Sequence, residues 1–162
     1  MLRFLNAFFV FIIATLLHWV FIEIFAPLDI TVGIMLVFSL AMASRGSRAG
    51  GYTFAFFSGL FLDFFGNVMF GGYALVFTAL VFCFYKIEDK IDFKEIMPQI
   101  AITIALNLAL VLMYGFLGKI FTGAFLWQGF RSFIFGSLIT GLLMPLTYLA
   151  TAKYLIFDIK NK

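Results

Sequence analysis

The chain has 162 residues, 64% of them hydrophobic and 12% charged, with 25 phenylalanines, whereas an ordinary soluble domain carries roughly 25% charged residues. Membrane spans of about 20 residues each, enough to cross some 30 Å of hydrocarbon, consume nearly all of this length and exclude a soluble catalytic domain within it. The net charge of +3 comes from basic residues scattered among loop ends, not from a dense nucleic-acid footprint, and the lone Cys83 excludes an intramolecular disulfide and a multi-cysteine metal site.

Apolar runs bounded by charges or turn residues fall at about 4–22, 28–44, 49–66, 70–87, 97–118 and 133–157. Continuous runs without strict alternation predict helices, which satisfy their own backbone groups in lipid. The expected fold is therefore an all-α membrane protein, a six-transmembrane-helix bundle in one domain over residues 1–162. The first run, Phe4 to Ile22, follows Arg3. It is longer than the roughly 7–15 residues of a signal-peptide core and lacks a small-x-small cleavage site, so it is expected to stay as the first span. The second run is short.

Between the fourth and fifth runs, KIEDKIDFKEI (86–96) spaces Lys86, Lys90 and Lys94 along one helical stripe beside Ile87 and Ile91. That pattern predicts a short amphipathic segment on the membrane surface. The later loop KIFTGAFLWQGFR mixes Lys119, Trp127 and Arg131 with apolar residues, as interfacial anchors do. Pro145 removes a helical hydrogen bond and is expected to bend the sixth helix.

Orientation follows from the basic residues. With the N-terminus cytoplasmic, the inside carries Arg3, Arg45, Arg48, Lys86, Lys90, Lys94, Lys153, Lys160 and Lys162, and the outside only Lys119 and Arg131. Nine of the eleven basic residues then lie inside, which predicts that both termini are cytoplasmic.

The third run contains one carboxylate in the stretch FFSGLFLDFFGNVMFGGY. At a spacing of four, Gly51, Ala55, Gly59, Asp63 and Asn67 form a single small or polar line, and Gly71 joins them as a candidate packing or partner-binding groove. Small residues four apart let helix backbones approach closely in lipid. A carboxylate in a span points inward and finds a partner. Asn67, the amides around Gly66, Gly71 and Gly72, or Arg131 are the candidates. Asp63 thus reads either as a structural carboxylate accepting amides or as a contact for a partner or ligand. Similar stripes are Ala101, Ala105 and Ala109 in the fifth run and Ser132, Gly136 and Thr140 in the sixth.

Catalysis, a metal and a cofactor are not expected. The only histidine is His18, read as an interfacial residue, and there is no HExxH zinc pair, Gly-x-Ser-Gly or Gly-x-Gly-Asp motif.

Gly59, Asp63, Gly66, Gly71, Ala74 and Leu75 stand as G-x-x-x-D-x-x-G-x-x-x-x-G-x-x-A-L. This run resembles the signature region of the bacterial rod-shape-determining MreD family. Pro27 and Asp29 resemble that family's Pro-Asp entry to the second helix, with Leu28 intervening. The resemblance implies a non-enzymatic inner-membrane adaptor of the cell-elongation machinery that builds lateral peptidoglycan. Its implied partners are the single-span scaffold MreC, the filament MreB, the polymerase RodA and a class B penicillin-binding protein. It also implies a fold similar to the substrate-binding S components of energy-coupling-factor transporters. The alternative reading is such an S component for a vitamin or metal, with Asp63 and the first outer loop lining the site. Against it, the Ala-x-x-x-Ala stripe by which S components contact their coupling subunit is missing from the first run, where Ala7 and Ala14 are seven apart.

Overall fold

The computed structural model describes residues 2–66 and 69–154, with side chains for 5–66 and 69–151. Among the described residues the chain is all-helical. Helix α1 spans Leu2–Phe25 and runs into a short 3-10 turn, Ala26–Leu28. Next come α2 (Ile34–Arg45), α3 (Arg48–Phe65), α4 (Gly72–Glu88) and α5 (Ile96–Thr122). One α-helical turn (Gly129–Arg131) and a π-helical segment (Ser132–Gly136) lead into α6 (Ser137–Tyr154). Three stretches are long and apolar enough to cross a membrane, Leu5–Leu28, Ile96–Thr122 and Gly129–Thr151, as a membrane protein requires.

Helix α2 is the centre of the bundle. It touches all five other helices, and every residue from Ile34 to Ser44 is buried. Its sequence explains this: from Ile34 to Ser44 it carries no charge, and a helix apolar on all faces belongs in a core. Its two hydroxyls bond back to its own backbone, Ser39 to the Met35 carbonyl at 2.7 Å and Ser44 to the Ala41 carbonyl at 3.0 Å. Both hydroxyls are thereby satisfied within the helix.

The expected helix over 28–44 is corrected here, because its first third is not α-helical. Pro27 is the second residue of the 3-10 turn, Asp29 follows in the left-handed region (φ 55°), and residues 30–33 stay out of helix before α2 begins. A proline carries no amide hydrogen, and a left-handed residue ends helical propagation; aspartate tolerates that conformation better than most.

Two other expectations fail for identifiable reasons. Residues 89–95 form turns, not an amphipathic helix. Phe93 is drawn into the core edge-to-face with Phe84 at 4.8 Å, Asp92 accepts the Lys94 amide at 3.0 Å, and Gln99 donates to the Phe93 carbonyl at 2.9 Å. A buried phenylalanine and a side chain bonding its own next-but-one amide both oppose continued helix. In α5 the alanine stripe lies outside the close packing, since Ala101 and Ala105 are exposed and Ala109 is half-buried. The buried face of α5 includes Gln99, Thr103, Asn107, Tyr114 and Gly118. Pro145 lies inside α6, which continues to Tyr154.

Candidate functional site at the α3–α4 joint

Helix α3 begins on a side-chain cap, Ser47 Oγ accepting the Gly50 amide at 3.1 Å. From there Gly51, Ala55, Gly59 and Asp63 are all buried on one face, while Phe56, Phe57, Phe64 and Phe65 are exposed on the others. Gly51 packs on α2, where an added Cβ would lie 2.9 Å from the Ala43 Cα. Gly59 packs on α4, where a Cβ would lie 2.5 Å from both the Ala74 nitrogen and the Tyr73 carbonyl carbon. At Gly51 and Gly59 the line is filled from within by α2 and α4, as a packing groove requires. Asn67 lies outside the described residues. Gly71 is not in the groove: it is half-buried with open space around its Cα, and its φ of +89° makes it the turn residue before α4.

Asp63 is 3% exposed. Its Oδ1 accepts the Tyr73 amide at 2.8 Å and its Oδ2 accepts the Ala74 amide at 3.0 Å. These are the second and third residues of α4, whose own N-cap position is a glycine without a side-chain acceptor. The first four amides of a helix have no intrahelical partner. Here the carboxylate of the preceding helix takes the place of the missing cap. Bonds from amides to a carboxylate are charge-assisted, and the positive end of the helix dipole favours an anion there. Of the candidate partners named from sequence, the amide group is the right kind, one residue beyond Gly72. Both Asp63 oxygens thereby accept backbone amides from within the chain.

A second polar seam holds the non-helical stretch before α2. The Thr31 amide donates to Ser132 Oγ at 2.9 Å, Ser132 Oγ donates to the Asp29 carbonyl at 3.0 Å, and the Gly33 amide donates to Thr140 Oγ1 at 2.9 Å. Gly136 sits between them, directly under the Thr31 carbonyl. The stripe Ser132, Gly136 and Thr140 therefore packs closely and also supplies hydrogen bonds to unpaired backbone. Spacing alone signals only the packing. The stronger signal is that Pro27 and Asp29 break a helix inside an apolar region, where freed backbone groups need partners from the protein. One turn along, Asn107 Nδ2 donates to Ser137 Oγ at 2.9 Å.

Around the joint lies a cavity of about 350 Å³. Its wall is built from the C-terminal part of α1 (His18, Trp19), the non-helical stretch (Thr31, Gly33), α3 (Phe61, Phe65), α4 (Tyr73, Phe77) and α5 (Asn107). Tyr73 stacks on Tyr114 with ring centres 3.9 Å apart, and its hydroxyl accepts from Gln128 at 3.1 Å. His18 Nδ1 is buried and has no hydrogen-bond partner among the described residues. At the other end of the bundle a polar cavity of about 520 Å³ is lined by Arg45, Asp92, Phe93 and Tyr148, with the Arg45 guanidinium 3.9 Å above the Tyr148 ring. Among the described residues no group of three or more His, Cys, Asp or Glu is placed to hold a metal ion. Comparisons with family models, with curated proteins and with solved structures find no match to this chain.

Proposed function

We propose that the chain is an MreD-like adaptor of the bacterial inner membrane, without catalytic chemistry of its own, that binds an MreC-like bitopic scaffold and serves lateral peptidoglycan synthesis. MreB, RodA and a class B penicillin-binding protein are its further partners in this reading. The supporting observation is that the residues carrying the resemblance act together. Gly59 and Asp63 on α3 meet Ala74 on α4 across the turn made by Gly71.

The same reading takes all six helices as spans with both termini cytoplasmic. Helix α2, at 12 residues, is about 18 Å long at 1.5 Å per residue, too short to cross alone. The non-helical residues 29–33 before it reach at most about 17 Å. In this reading the two together make the second crossing, and the seam with Ser132 and Thr140 supplies partners to the backbone that the break in helix frees. Helices α3 and α4, of 18 and 17 residues, span about 26 Å or slightly more, which suits a pair joined by one short turn.

The test is purification of the tagged protein from native membranes in mild detergent, with depletion in parallel. A bitopic scaffold should co-purify, and depleted rods should become round. Recovery of an ATPase and a transmembrane coupling subunit instead, with saturable vitamin binding, would replace the adaptor with the transporter.

A further inference from the structure

We propose that the polar cavity of about 520 Å³ at the Arg45 end of the bundle holds the phosphate headgroup of an anionic membrane phospholipid. The proposal is independent of the adaptor reading, which stands or falls on the scaffold.

The central group is Arg45, in the last turn of α2. Its guanidinium carbon lies 3.9 Å over the Tyr148 ring, and among the described residues it has no hydrogen bond or ion pair. A ring face attracts the cation without occupying its fork of N–H donors, which matches the oxygens of a phosphate. The Nε is shut in by the protein. The contact therefore falls to the two terminal nitrogens, which keep accessible surface in a side chain that lines the cavity.

Charge sets the class of ligand. Arg45, Lys90 and Lys94 line the cavity together with Glu88, Asp89 and Asp92. Asp89 is bridged to Arg48 at 3.2 Å, and Asp92 Oδ1 accepts the Lys94 amide at 3.0 Å. With Arg48 included, four cations face three carboxylates, a surplus that suits one negative charge and opposes a di- or triphosphate.

Position sets the source of that charge. Tyr52 and Tyr85 touch edge-to-face at 5.3 Å, Arg48 lies 5.7 Å over the Tyr85 ring, and Tyr148 lies under Arg45. Tyrosines grouped with basic residues in this way mark the headgroup level of a membrane protein. Ile91, 43% exposed, adds an apolar residue to the same wall, for which glycerol and acyl carbons are better neighbours than water. Basic pockets at the ends of membrane spans bind such headgroups.

Full-length protein, stripped of lipid in mild detergent, is titrated with phosphatidylglycerol, with phosphatidylcholine, or with glycerophosphoglycerol, the first headgroup without its acyl chains. Native mass spectrometry counts the bound molecules. One phosphatidylglycerol should bind about fivefold tighter than phosphatidylcholine, the worth of one basic residue at a membrane surface. Arg45→Gln should weaken it about tenfold or more, as loss of a charge-assisted hydrogen bond does. Lys119→Gln, an exposed change at the opposite end of the bundle, should leave it as it was. Equal affinities for the two lipids would overturn the lipid and leave Arg45 to an acidic segment of a protein partner. Unchanged affinity in Arg45→Gln, or an equal fall in both variants, would overturn the cavity as the site. Glycerophosphoglycerol binding as tightly as the lipid would make the ligand a soluble phosphate ester and overturn the lipid. If Arg45→Gln does not fold, Lys94→Glu at an exposed position decides alone: unchanged affinity for phosphatidylglycerol overturns the site.

Discussion

Gly59 on α3 and Ala74 on α4 bring two helix backbones into direct contact. A single methyl at Gly59 would fall 2.5 Å from the Ala74 nitrogen, and backbone at that position has nowhere to retreat, because the same amide is held by Asp63.

Replacing Gly59 should therefore be worse than truncating a neighbouring aromatic. Gly59→Leu forces the helices apart and should cost at least the roughly 1–3 kcal/mol of ordinary overpacking. Phe61→Leu keeps an apolar side chain, loses edge-to-face contacts with Phe11, and should cost about 1 kcal/mol. Thermal unfolding in detergent compares the two; equal melting would place no close contact at Gly59.

The two obvious substitutions of Asp63 should differ in cost. An asparagine side chain there would keep one oxygen but set an amide donor against the second backbone amide, so Asp63→Asn should destabilise by about 1–2 kcal/mol. Asp63→Leu leaves both amides buried and unpaired and should cost about 3 kcal/mol or more. Melting temperatures should fall in that order. If the Asp63→Asn protein melts like the native one, one of the two amides has another acceptor.

The seam with the last helix predicts a local effect. Thr140→Val preserves shape but removes the acceptor of the Gly33 amide, and Ser132→Ala removes that of Thr31. Each should cost about 1–3 kcal/mol. Hydrogen–deuterium exchange should quicken at residues 29–34 while α3 and α4 keep their protection. Uniform quickening across the chain would point to global destabilisation instead.

Orientation is tested by labelling. Asp92 and Thr122 are both exposed, at opposite ends of the bundle. In a Cys83→Ser background, a membrane-impermeant maleimide on intact spheroplasts should label Thr122→Cys and spare Asp92→Cys. The reverse pattern would invert the topology.

Much of this architecture is written in local composition. Hydrophobic runs set the helices, because a backbone in lipid must satisfy itself. Boundaries at Arg48–Phe65 and Gly72–Glu88 fall within two residues of the apolar runs that predict them. The small line Gly51–Ala55–Gly59–Asp63 is likewise visible from spacing alone, since four residues bring a helix back to nearly the same face. What spacing does not carry is the identity of the surface opposite. Ala101 and Ala105 have the same period as Gly51 and Ala55, yet they face outward, because in lipid a small residue is equally comfortable on either face and only a neighbouring backbone decides. Phe93 turns a stretch with helical charge periodicity into a loop, because its burial against Phe84 outweighs a surface stripe. The cap on α4 depends on a carboxylate from another helix arriving within 3.0 Å of two amides. Composition determined that Asp63 must be paired; only the tertiary structure decided with what, because a buried charge selects its partner by position in space and not along the chain.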